Sequence, residues 1–253
     1  MDLLEAGARL DREANASMDL RASGSALAEK RCLRPSMGES VNLHPEVLTQ
    51  SQKTVLAASA TVSRGWNAYL AGGAALALQL GHRRSVDFDW FTRDTLRPVD
   101  VLKDVRSLGM PVQVRQNDAG TFLAQVGGVD YSVFRYRYEL VGRPVGYGGC
   151  QLASLKDIAA MKMTAIVQRA TKRDYVDLHA LLQSRSVTLS EVVSTMQRKY
   201  PGVDQRLALR AMTYFDDVER QPMPDMIAKI SWDEVKRGLV LARDRGLRRG
   251  PSR

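Results

Sequence analysis

The chain has 253 residues, 44% of them hydrophobic and 26% charged, and a formal net charge of +9. That length supports one large or two modest domains around a sizeable core, and the absence of any run of about 18 apolar residues argues against a helical membrane span. The opening MDLLEAGARL carries acids and no apolar signal core, and Cys32 and Cys150 have neither metal-ligand nor disulfide-framework spacing, so a cytoplasmic protein is expected.

Residues 1–45 read as an N-terminal extension of loop and loose helix, within which Met37 offers an alternative start. HPEVLTQSQKTVLAASATVSRG then has the rhythm of a helix, and NAYLAGGAALALQLGH reads as a short strand, a Gly-Gly turn and a helix. From Ser85 to Trp90 the residues alternate strictly, with Ser85, Asp87 and Asp89 on one side and Val86, Phe88 and Trp90 on the other, the period of a strand with one apolar face. A helix around PVDVLKDVRSLG follows, then extended segments in PVQVRQ, TFLAQVGG, VDYSVFRYRY and near RPVGYGG.

The character changes at Ser154. Three capping signatures, Ser154 to Asp157, Thr188 to Glu191 and Ser231 to Glu234, each precede a helical pattern, and no strand is predicted after them. The expected division is an α/β domain over 46–153 and an all-helical domain over 154–253 that ends in the basic tail RDRGLRRGPSR. Residues 1–153 hold 18 basic and 16 acidic side chains, whereas 154–253 hold 19 and 12, so the positive charge gathers in the helical half. That suits a polyanionic partner, although the tail alone reads equally as a solvated end.

Aspartate is depleted in strands, and like charges two residues apart on one strand face repel. Asp87 and Asp89 therefore call for a positive partner. Two such carboxylates can share divalent ions with phosphate oxygens, in the manner of two-metal phosphoryl chemistry. Asp130, which interrupts the apolar segment GGVDYSVF, would face the same ions if its strand is a neighbour, and could take the proton of an incoming hydroxyl. Taken alone, DFD reads more readily as an edge strand facing water. Upstream, Gly72 and Gly73 would let backbone N–H groups at a helix start approach a phosphate. Thirteen residues separate Gly73 from Asp87, enough for a helix and a return strand. The three histidines are scattered, and His82 and His179 read as packing or capping residues rather than ligands.

Gly-Gly, a helix, Asp-x-Asp on a strand and a further Asp on a later strand resemble the polymerase-β-like nucleotidyltransferase superfamily. More narrowly, YLAGGAALALQLGHRRSVDFDWF and DIAAMKMTAIVQRATKRDYVDLHALL, within about residues 66–184, resemble the AbiEii/AbiGii nucleotidyltransferase toxins of abortive-infection and type IV toxin–antitoxin systems, relatives of the MenT toxins. Ala74 stands where that family often carries a small hydroxyl residue. The resemblance implies an α/β (α+β) fold: a polymerase-β-like catalytic domain with a mixed sheet, followed by an all-helical C-terminal domain. It implies that Asp87 and Asp89 hold Mg²⁺ or Mn²⁺, with Ser85 beside the triphosphate, Asp130 as the third carboxylate, and Lys162 and Asp174 supplied by the second block. Its implied partners are an NTP, tRNA as the acceptor, and a cognate antitoxin.

If 155–173 forms one helix, Leu155, Lys162, Ile166, Arg169 and Arg173 share one stripe, and its three cations suit a face closing over polyphosphate. Snorkelling side chains along a domain junction would give the same pattern. The rival readings are a nucleotidyltransferase with a protein or small-molecule acceptor, and a non-catalytic NTP- or RNA-binding module.

Overall fold

The computed structural model describes residues 42–248; residues 1–41 of the expected extension, including Met37 and Cys32, and the last five residues lie outside them. Helix α1 (Gln50–Gly65) starts on a capping box in which Thr49 and Gln52 satisfy each other's backbone N–H groups. Strand β1 (Tyr69–Ala71), helix α2 (Gly72–Leu80), strand β2 (Asp87–Thr92) and helix α3 (Pro98–Arg106) follow. Next come β3 (Val112–Asp118), β4 (Thr121–Val126), β5 (Val129–Arg135), β6 (Val145–Tyr147) and β7 (Cys150–Leu152).

These strands form one mixed sheet in the order β3-β4-β5-β2-β1-β7-β6. Strand β2 lies in its interior, antiparallel to β1 and parallel to β5, so the edge-strand reading of DFD is excluded. Alternation along β2, β4 and β5 buries Phe88, Trp90, Phe122, Ala124, Val126, Tyr131 and Val133 on one face. Tyr131 donates its hydroxyl hydrogen to Ser59 Oγ of α1 at 3.2 Å, which fixes α1 over that face.

The expected strand from Ser85 begins two residues later. His82 to Arg84 pair instead with a distant segment: Arg84 N–H donates to Asp225 O at 2.8 Å, Ile227 N–H to His82 O at 3.1 Å, and Arg83 bridges Met226. Val86, expected on the apolar side, is consequently 68% exposed.

Beyond the sheet the described chain is helical: α4 (Leu155–Gln168), α5 (Lys172–Gln183), α6 (Leu189–Lys199), α7 (Gln205–Ala211) and α8 (Trp232–Arg248). Ser154 and Thr188 cap α4 and α6, and Ser231 exchanges hydrogen bonds with Glu234 at the start of α8. Asp157, the acid of the first capping signature, is fully buried and also pairs with Lys199 at 2.8 Å, tying α6 to α4.

A single helix over 155–173 does not form. The chain turns at Arg169–Thr171, where Ala170 takes a left-handed φ of 44°. The basic tail is also shorter than expected, because residues 243–248 belong to α8 and Arg243 donates to Thr213 Oγ1 at 2.7 Å.

Candidate active site

Strand β2 presents Asp87 and Asp89 on the face opposite Phe88 and Trp90. Ser85, buried just before the strand, donates its hydroxyl hydrogen to Asp87 Oδ1 at 2.8 Å. Its carbonyl accepts from Gln52 Nε2 at 2.5 Å, and Gln52 Oε1 accepts from Thr49 N–H at 2.9 Å. The cap of α1 thereby anchors the residue that orients Asp87.

Asp89 sits against the first turn of α2. A Cβ at Gly72, whose φ is +66°, would lie 2.5 Å from Asp89 Oδ2, and one at Gly73 would lie 2.6 Å from both Arg83 Nη2 and Ser85 Oγ. Only glycine allows this approach. No side chain caps the helix at Ala71, so its positive end faces Asp89 with a bare backbone.

Burial, then the neighbouring charge of Asp87, push the Asp89 carboxyl up to about 7; Lys162, Arg169 and Arg173 act in the opposite direction. The three cations named from the sequence therefore converge electrostatically on Asp89 even though their helix is broken, with Lys162 and Arg169 on the α4 side and exposed Arg173 on α5. They do not neutralise it.

Lys162 is buried and holds Asp174 Oδ1 at 2.9 Å and Asp177 Oδ2 at 2.8 Å. Its counter-charges therefore lie on the next helix, α5, and not only in the polyphosphate expected over the stripe. Asp174 also accepts from Thr171 Oγ1 at 2.6 Å and from Arg169 Nη2 at 3.3 Å. Asp177 accepts from Arg83 Nε at 2.6 Å and Nη2 at 2.8 Å, and pairs with His82 Nε2 at 2.8 Å. Burial alone would raise the Asp177 carboxyl, but the Lys162 and Arg83 charges hold it well below the usual range. An ammonium has three N–H groups, so two aspartates leave Lys162 one donor for a further ligand.

Asp130 stands directly opposite Asp87 in the β2–β5 ladder. Its carboxylate accepts from Arg115 Nη2 at 2.5 Å. Among the described residues no group of three or more His, Cys, Asp or Glu side chains could hold a metal ion, so the three aspartates named from the sequence do not form one ligand set here. The pair Asp87–Asp89 still fits a hard divalent cation: it offers carboxylate oxygens with unspent negative charge and leaves the other positions to water and phosphate.

Sequence reading missed Asp177, Arg83, Gln52 and Arg115. Asp177 had a signal, standing one turn from Asp174 in RDYVDLHALL. His82 acts within the ionic cluster, and buried His179 packs where a Cβ on Gly238 would lie 2.3 Å from its Nε2.

Comparison with known proteins shows the family of the chain. A family profile described as "Nucleotidyl transferase AbiEii toxin, Type IV TA system" matches residues 146–245, the helical half and its approach. An Aquifex aeolicus protein, aq_aa25, of uncharacterised role, is 34% identical over 172 residues, 66% of this chain and 82% of that one. In fold the chain is similar to MenT4, a nucleotidyltransferase toxin of Mycobacterium tuberculosis, at 18% identity and a TM-score of 0.51, over 77% of this chain and 84% of that one. The chain therefore belongs to the AbiEii nucleotidyl transferase toxins of type IV toxin–antitoxin systems, a family that implies an NTP substrate and an antitoxin partner.

Proposed function

We propose that this nucleotidyltransferase moves a nucleoside monophosphate from an NTP to the 3′ hydroxyl of tRNA, with Mg²⁺ at Asp87 and Asp89, and so arrests translation and growth. The observation that carries the reading is the placement of Asp89 against the bare, glycine-built start of α2, with Asp87 on the same strand face and Asp130 opposite it on the next strand. Divalent metal would supply Lewis-acid polarisation of the phosphate oxygens and neutralise the excess charge of the pair.

The chain's own residues do the rest. Gly72 and Gly73 admit the phosphates to the helix start. Asp130 takes the proton from the acceptor hydroxyl as its oxygen bonds to the α-phosphorus. The bond from that phosphorus to the bridging oxygen breaks, and pyrophosphate leaves with its charge met by Lys162, Arg169 and Arg173. We assign the α/β half over 46–153 to this chemistry and the basic helical half over 154–253 to holding the RNA backbone.

The test is incubation of the pure protein with Mg²⁺, each labelled NTP in turn, and total RNA or lysate. Label in tRNA supports the proposal. Label in protein or a small solute changes the acceptor, and label nowhere removes the transfer activity.

A further inference from the structure

On β4 and β5 the residues that alternate with the core face outward and are half-exposed: Leu123 and Gln125 on one strand, Asp130 and Ser132 on the other. The ladder aligns them in rows. Gln113, Gln125, Asp130 and Asp87 stand side by side across four strands, and Ser132 stands beside Asp89. A polar strip thus runs from the catalytic carboxylates toward the outer strand β3.

Arg115 breaks the regularity of that strip. Val114 pairs with Ala124 and Gln116 with Leu123, so Arg115 is the extra residue of a β-bulge. Bulges re-aim a side chain at the cost of ladder pairing. This one sends the guanidinium across β4 to Asp130, two strands or roughly 10 Å away, a span that needs a long side chain.

The pair is 57% and 42% exposed, so it contributes little to stability. Yet it engages one oxygen, Oδ1, of the carboxylate that must accept a proton. A planar fork of donors freed from a carboxylate is matched to a phosphodiester.

The geometry points to Arg115 as a positioning and acceptor-binding residue. It holds Asp130 aside in the unliganded protein, then passes to the last phosphodiester of the incoming RNA as Asp130 turns to the 3′ hydroxyl. This rests on the RNA-acceptor reading above.

Two measurements on Arg115→Gln and Arg115→Lys test it. In the first, Mn²⁺ is titrated into the full chain without NTP or RNA and followed by calorimetry. Arg115→Gln, which leaves the Asp130 charge uncompensated beside Asp87, should bind Mn²⁺ at least threefold more tightly than the wild type, and Arg115→Lys should fall between. The second uses labelled NTP and a synthetic tRNA acceptor hairpin. Arg115→Gln should raise the hairpin KM at least tenfold with a much smaller fall in kcat. A neutral methylphosphonate at the last linkage should raise the wild-type KM equally and leave the variant unmoved. Equal Mn²⁺ affinity in wild type and Arg115→Gln overturns the inference, as does a methylphosphonate penalty that persists in the variant. If no RNA is labelled by the wild type, the acceptor reading fails, and the Mn²⁺ titration still decides the Arg115–Asp130 exchange.

Discussion

Two carboxylate pairs share this molecule, and Lys162 lies within reach of both. Asp174 and Asp177, on α5, are buried among Lys162, Arg83, Arg169, His82 and Thr171, with every oxygen engaged and both carboxyls held below their usual range against the pull of burial. Asp87 and Asp89, on β2, face the same cations less directly, and Asp89 is driven up to about 7. The first pair behaves as a structural joint. It ties the loop after α2 to α4 and α5, and so ties sheet to helices. In the second, burial and the neighbouring Asp87 outweigh the cations at Asp89, a cost to the fold that a bound cation would relieve.

The sharpest way to break that contrast is Asp89→Asn. Transfer of labelled nucleotide should fall by a factor of about 10³ or more, equivalent to roughly 4 kcal/mol of barrier, while circular dichroism stays native. Stability should move the other way. A carboxyl raised in the folded state adds stability below its unfolded pKa and loses it as pH rises through about 7. Asp89→Asn should therefore melt about 2–4 °C higher than wild type at pH 8, with the gain shrinking as pH falls below 7 and vanishing below the unfolded value of 3.8. Full activity, or a gain independent of pH, would sink the distinction.

Asp177→Ala tests the other pole. Removing the shared partner leaves buried Arg83 without its carboxylate and Lys162 with Asp174 alone, and such losses cost about 3–5 kcal/mol. Urea unfolding should register that. In the wild type, the depressed carboxyls of Asp174 and Asp177 contribute stability above pH 4 that is lost as acid protonates them. A variant within 1 kcal/mol of wild type would show that the joint is dispensable.

Lys162→Ala touches both pairs. We expect transfer to slow at least tenfold, about 1.4 kcal/mol of barrier, together with a loss of stability. Lys162→Arg should rescue stability better than rate, because a planar fork is not a point charge. Normal turnover in Lys162→Ala would detach the helical half from the chemistry.

The smallest effect lies on the far surface. Arg237 and Arg245 are exposed on α8, and changing both to Gln should flatten the salt dependence of tRNA binding by about one to two in log–log slope if they touch phosphate. An unchanged slope would place the RNA elsewhere.

Much of this was legible in the chain. Alternation in SVDFDWF and VDYSVF marked the strands, the three capping signatures marked the helix starts, and the lateral pairing of Asp130 with Asp87 was anticipated as a condition. What escaped were mostly features with no local signature. The break at Ala170 is an exception: QRATKR carries neither Gly nor Pro, but Thr171 and Asp174 have the spacing of a fourth capping signature, which the sequence reading missed. Asp177 meets Arg83 across 94 residues, and the bulge at Arg115 replaces an alternation that PVQVRQ could have continued unbroken. Long-range ionic pairing is invisible to periodicity, because any helix face with an aspartate reads alike until its partner is known.

The pairing of His82–Arg84 with Asp225–Ile227 carries a consequence for synthesis. Contacts that far apart must wait for most of the chain, since loop closure precedes any reward from the contact. A ribosome that has passed Asp89 has made both carboxylates of β2, but the turn leading into them lacks its cover until some 140 further residues emerge. A chain that ends before Asp225 carries both carboxylates without the segment that pairs with the turn before them.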